Sequence, residues 1–145
     1  MTVVKKSREV PYTCKQMYDL VNNIESYAKF VPYFTSSEVL HRDENEVQAT
    51  LNISAAGISK SFTTRNNLQP NKMIEMRLVD GPFSHLEGFW RFEETTNGCL
   101  VVFDLEFEFA GKMFSMLLGP IFEQVADKMV DSFCERADTI YKIPA

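Results

Sequence analysis

Residues 99–133, CLVVFDLEFEFAGKMFSMLLGPIFEQVADKMVDSF, change their hydrophobic period partway along. Up to Phe109 the period is two. Val101, Phe103, Leu105, Phe107 and Phe109 share one face, and Asp104, Glu106 and Glu108 take the other. That is a strand with one buried and one wet face, the antiparallel case. After Gly111 the period becomes helical. Phe114, Leu117, Leu118, Ile121, Phe122, Val125, Met129, Val130, Phe133, Ala137, Ile140 and Tyr141 recur at spacings of three and four, which predicts one helix over 111–142. Gly119-Pro120 is expected to kink it. At 1.5 Å per residue such a helix is about 45 Å long, enough to span a small domain. The apolar face of a sheet is the natural partner for its stripe.

Upstream, the same alternation predicts strands near 35–42, 46–54, 58–68, 72–79 and 84–94, with joints short enough for hairpins. Residues 2–10 read as a first strand ended by Pro11. Thr13, with Gln16 three residues on, reads as a capping box opening a helix. A second short helix over 24–30 stops before Pro32. The expectation is a single α+β domain over 1–145: a seven-stranded antiparallel meander gripping a long C-terminal helix.

Successive hairpins of a meander alternate between the two ends of the sheet. The polar joints RDENE, LQPNK and TTNG therefore share one end. The apolar joints SAAGIS and VDGPF share the other, together with FAGKMF and FVPYFTS. Phe30, Val31, Tyr33, Ala56, Ile58, Lys60, Phe83, Met113 and Phe114 thus fall around one rim, with Lys60 placed to snorkel outward or to meet a headgroup or phosphate. An apolar rim marks a binding site, or it plugs the end of a packed core. The portal reading makes Phe83 partly exposed, so that Phe83→Ala costs under about 1 kcal/mol. A plugged core would raise that cost to about 3–5 kcal/mol. Inside, Leu51, Phe62, Trp90, Phe103, Leu105, Phe122 and Met129 are expected to line a cavity suited to an apolar ligand; twelve Phe in 145 residues fit such a lining.

The net charge of −5 does not favour nucleic acid. No DNA partner is expected, and RNA contact would need a local basic patch. Lys5, Lys6 and Arg8, with Lys15 and Lys29 near them, are the candidates, although alternation puts only part of this cluster on one face. Cys14, Cys99 and Cys134 are odd in number and lack metal spacing, which reads as reduced cytoplasmic thiols and no metal site. No apolar run is long enough to span a bilayer, and the N-terminus carries no signal-peptide block, leaving peripheral contact as the only membrane option. His41 and His85 have no evident Asp or Ser partner, and the carboxylates of the last strand face outward. No acid–base constellation faces inward, so catalysis is not expected and no cofactor is required.

The segments SYAKFVPYF, AAGISKSFTTRN, LVDGPFSHLEGFWRF, VVFDLEFEF and IFEQVADKMVDSFCERADTIY resemble the ribosome-association toxins. These lie in the coenzyme-Q-binding branch of the START-like (helix-grip, Bet v 1-like; polyketide cyclase/dehydrase and lipid transport) family. The resemblance runs in order through nearly the whole chain. It implies the architecture already described, with two short helices after the first strand. It implies two functions: binding ubiquinone or a similar lipid in support of respiration, or binding the large ribosomal subunit and blocking subunit association, which inhibits translation initiation. The family has no agreed catalytic residues to carry over.

Overall fold

The alternation of the sequence becomes one antiparallel sheet. The computed structural model describes residues 1–55 and 57–141. Strand β1 spans Thr2–Val10, and β2 to β7 span Phe34–Arg42, Glu46–Ala55, Ile58–Gln69, Met73–Asp80, Phe83–Thr95 and Gly98–Phe109. The seven strands lie in the order β1-β7-β6-β5-β4-β3-β2, a meander whose last strand takes β1 on its free edge. Between β1 and β2 come helix α1, Cys14–Asn22, and a 3₁₀ helix, Ile24–Lys29. The capping box predicted for α1 is present: Gln16 N–H donates to Thr13 Oγ1 at 3.0 Å, and Thr13 N–H donates to Gln16 Oε1 at 2.9 Å. Two of the orphan amides at the start of a helix are satisfied this way.

Register places the inward residues side by side. Leu51 faces Phe62 across β3–β4, Ile74 faces Trp90 across β5–β6, and Trp90 faces Phe103 across β6–β7. Gly88 faces Leu105. A Cβ there would stand 2.3 Å from the carbonyl oxygen of Asp104, so this close backbone approach requires glycine.

The C-terminal segment departs from expectation. It is two helices, α2 at Lys112–Asp127 and α3 at Met129–Tyr141, and Pro120 lies inside α2. The interruption is at Lys128, whose N–H is shared between the carbonyls of Gln124 and Val125, both at 3.2 Å. Such three-centre sharing tightens the last turn of α2 and ends it. Residue 142, placed in this helix by its periodicity, lies outside the described residues. The two helices pack chiefly on β1 and β7 and cover one side of the apolar face. Among the described residues no helix is long and apolar enough to cross a membrane.

Phe83 is also a correction. It is 6% exposed, not a rim residue at a portal. Its ring stacks on Phe109 at 4.4 Å and meets Phe62 and Phe122 edge-on at 5.4 and 5.2 Å. The cause lies in the turn before it. Gly81 has φ +151°, and a Cβ on it would come within 2.6 Å of Phe62 Cβ. Without a side chain the turn lies flat on Phe62 and tucks the next aromatic inward. Ala110 N–H then donates to the Pro82 carbonyl at 2.8 Å, closing this end. Val31, placed on the same rim, is buried too. Denaturant unfolding of Phe83→Ala should therefore show a loss of about 3–5 kcal/mol, the scale of a buried aromatic truncation. A loss below about 1 kcal/mol, as at exposed sites, would contradict this packing.

Candidate functional site

A cavity remains between the sheet and the elements that cover it. Its wall is built by period two: Leu51 of β3, Phe62, Thr64 and Asn66 of β4, Met76 of β5, Leu86 and Trp90 of β6, and Phe103 and Leu105 of β7. Ile24 and Tyr27 of the 3₁₀ helix, Phe34 of β2, Phe122 of α2 and Met129 of α3 close it. All seven residues that the sequence assigned to a cavity stand in this wall. The volume is about 60 Å³, room for about two waters at their share of liquid volume. Ligand pockets run to roughly 300 Å³ or more, so the cavity is too small for a ligand unless its wall moves. Met76 and Met129 are the adaptable parts of its wall, because an unbranched thioether repacks at small cost. Met129 follows directly on the interruption at Lys128.

Ile24, Phe34, Met76 and Leu86 were not assigned to the wall, and Thr64 and Asn66 are the polar residues on the sheet that sequence reading missed. The signal was present: the inward period of β4 passes through Ile58, Lys60, Phe62, Thr64, Asn66 and Leu68, but TTRNN looks like a polar edge. Tyr27 was missed as well. Its buried hydroxyl donates to the Val21 carbonyl, and burial raises its pKa above the ordinary phenol range.

The residues expected at the rim differ in exposure and packing. Phe30 packs edge-on against Tyr27 and Phe133, with the Arg136 guanidinium 5.3 Å above its ring. Tyr33 is exposed, and Met113 is 64% exposed. Ile58 and Phe114 are half-buried, and Ala56 lies outside the described residues. Lys60 neither snorkels free nor points into the cavity; its Nζ stands 4.6 Å over the Phe114 ring, a cation–π contact.

The basic candidates on β1 are engaged within the molecule. Lys6 pairs with Asp127 at 2.9 Å, and the hydrogen bond and charge of that carboxylate raise its pKa. Arg8 pairs with Asp131 at 3.3 Å, and Lys5 lies 3.9 Å from Asp104 on the other face. The histidines, read as unpartnered, do have carboxylate neighbours: His41 Nε2 is 3.0 Å from Asp43, and His85 Nε2 is 3.4 Å from Glu106 and 3.8 Å from Glu87. Seeing the second group takes the β6–β7 register. It sits on the outer face, away from the cavity. Cys14 and Cys99 bring their sulfurs to 3.1 Å. Burial pushes the Cys99 thiol up to about 12 and the Cys134 thiol up to about 11, so at neutral pH both are protonated and poor nucleophiles.

A family model described as polyketide cyclase / dehydrase and lipid transport matches residues 10–134. The chain is 42% identical to the ribosome association toxin RatA of Escherichia coli over 97% of its own length and 90% of the relative's. It is 29% identical to the mitochondrial coenzyme Q-binding protein COQ10 of Dictyostelium discoideum, over 93% of its own length and 68% of the relative's. A START superfamily protein from Mycobacterium smegmatis superposes with a TM-score of 0.75 at 20% identity, covering 95% and 98% of the two chains.

Trp90, the single tryptophan, reports on this cavity. It is fully buried, with Phe103 at 4.4 Å and Phe133 at 5.1 Å between ring centres. Its emission should be blue-shifted relative to the unfolded chain and resist iodide quenching. An emission like that of solvent-exposed indole would contradict this placement.

Proposed function

This chain belongs to the polyketide cyclase/dehydrase and lipid transport family, and from that premise we propose that it binds an isoprenoid quinone such as ubiquinone, or a similar apolar lipid, in the cavity, and performs no chemistry on it. The observation that carries this reading is the wall itself. It is aromatic and aliphatic apart from Thr64, Asn66 and Tyr27, and among the described residues its lining holds no carboxylate, histidine or thiol. Acid–base catalysis needs a group that titrates near the working pH, and the Tyr27 hydroxyl is moved away from that range. The name of the coenzyme Q-binding relative supports a quinone as the class of ligand.

Binding requires the wall to open. The gain from doing so is large enough: each buried CH₂ contributes about 0.8 kcal/mol, so one five-carbon isoprene unit contributes roughly 4 kcal/mol. Displacing Met76 and Met129 from half-buried positions costs less than breaking the aromatic cluster around Phe83. The ligand therefore enters on the methionine side.

A second reading is favoured by a different observation, the 42% identity to a protein named as a ribosome association toxin. In it the chain binds the large ribosomal subunit, blocks subunit association and inhibits translation initiation. The two readings are compatible, since one uses the interior and the other a surface.

Titration with a short-chain ubiquinone should quench Trp90 fluorescence in a saturable way. Quenching that stays linear to the solubility limit, after inner-filter correction, would overturn the quinone reading. Sedimentation of the protein through a sucrose gradient with isolated large ribosomal subunits tests the second reading. Co-migration is expected, and its absence removes that reading without touching the first.

A further inference from the structure

The cavity wall has one polar patch with nothing to pair it. Thr64 and Asn66 sit two residues apart on the inner face of β4 and are 6% and 5% exposed. The Thr64 hydroxyl donates to Asn66 Oδ1 at 3.1 Å. Together the hydroxyl and the amide hold three donor hydrogens, and this bond uses one. Exchanging the amide nitrogen and oxygen leaves the count unchanged, because the amide then donates to Thr64 Oγ1 and two donors still remain.

The cross-strand neighbours offer those donors no acceptor. Thr64 lies opposite Ala49 on β3 and Leu78 on β5, and Asn66 lies opposite Val47 and Met76. All four side chains are apolar. Among the described residues neither polar side chain makes a second hydrogen bond. A donor without a partner is costly once water is excluded from it, and both residues line the cavity, the space from which a partner can reach the amide.

We infer that Thr64 and Asn66 are the headgroup anchor of the cavity: the Asn66 amide, held in place by the Thr64 hydroxyl, donates to an acceptor oxygen, such as a carbonyl, on a ligand that enters head first. This rests on the reading that the cavity binds an apolar ligand, and it adds what the site selects. A hydrocarbon fills the space and leaves two donors unpaired. A quinone or another carbonyl-bearing lipid fills it and satisfies them. Without ligand, the space has room for about two waters at their liquid volume, which a headgroup would displace. Discrimination by a site built to hydrogen-bond exceeds what shape alone gives, because the wrong ligand leaves buried polar groups unmatched.

The test compares two probes by calorimetric titration: decylubiquinone, and decylbenzene, which has the same chain and no oxygen. The wild-type protein should bind the quinone at least about tenfold more tightly, the scale of one to two net hydrogen bonds. In the double variant Thr64→Val/Asn66→Leu the ratio should fall to near one, while decylbenzene affinity stays within about twofold. The single variant Asn66→Leu removes the amide that carries both unused donors and should by itself lower the ratio at least about threefold, which keeps the test open if the double variant folds poorly. A ratio unchanged in the variants, or a wild-type ratio near one, overturns the anchor and leaves cavity binding standing. Failure of the wild type to bind either probe overturns both.

Discussion

Water has to be kept off one face of the seven-stranded sheet, because each of its inner strands presents apolar side chains there. A buried aromatic removes about 150–250 Å² from water, worth roughly 4–6 kcal/mol at ~25 cal/mol per Å² before the entropy cost of ordering it. One chain end supplies most of the cover. Helices α2 and α3 settle on β1 and β7, and the 3₁₀ helix settles on β2. The middle of the sheet, at β4 and β5, receives the tips of Phe122, Met129 and Tyr27. The cavity is what remains when a curved sheet is covered from both edges toward its centre.

The same constraint explains which features could be read from the sequence. Period two on the strands and a helical stripe at the C-terminus assign inward residues without knowledge of distances. That is why Leu51, Phe62, Trp90, Phe103, Leu105, Phe122 and Met129 were legible as neighbours. The capping box at Thr13 and Gln16 was legible because it is local. Phe83 was not: its burial depends on the conformation of Gly81 and on the turn lying against Phe62, a contact between residues far apart in the chain. The stop at Lys128 escaped for the opposite reason. It is a small local tightening of hydrogen bonds with no sequence marker, while Gly119-Pro120 carries a marker and stays within a helix. Thr64 and Asn66 followed the inward period, but their polarity hid them, since buried polar residues are uncommon enough to be read as surface.

Charge on β1 serves the same cover. Lys6 reaches Asp127 and Arg8 reaches Asp131, while Tyr12 donates its hydroxyl to Asp138. Three points of the C-terminal segment, at Asp127, Asp131 and Asp138, are thereby fastened to β1 and the residues just after it. These contacts are exposed, and surface pairs individually contribute little. Their value is positional, in holding α2 and α3 over the β1–β7 side. A basic cluster that looked available for phosphates is thus largely spent on the protein's own carboxylates, in keeping with a chain of net charge −5.

The cavity's small volume follows from how the wall is divided. Behind Phe62 of β4 and Phe122 of α2 the packing is aromatic and locked: these two interlock with Phe83, Phe107 and Phe109 of β6 and β7 at ring separations of 4.4 to 6.1 Å. That side cannot yield without losing many contacts at once. On the other side stand Met76 and Met129, half-buried and flexible, with the stop at Lys128 beside them. An empty apolar void forfeits dispersion contacts along its lining, so the soft side closes down until only a little space is left. That space is kept open where the wall is polar, because Thr64 and Asn66 hold two donors that apolar neighbours cannot satisfy. Rigid aromatics fix the shape of this wall, methionines form its adaptable part, and the Thr64–Asn66 pair is its one polar feature on the sheet side.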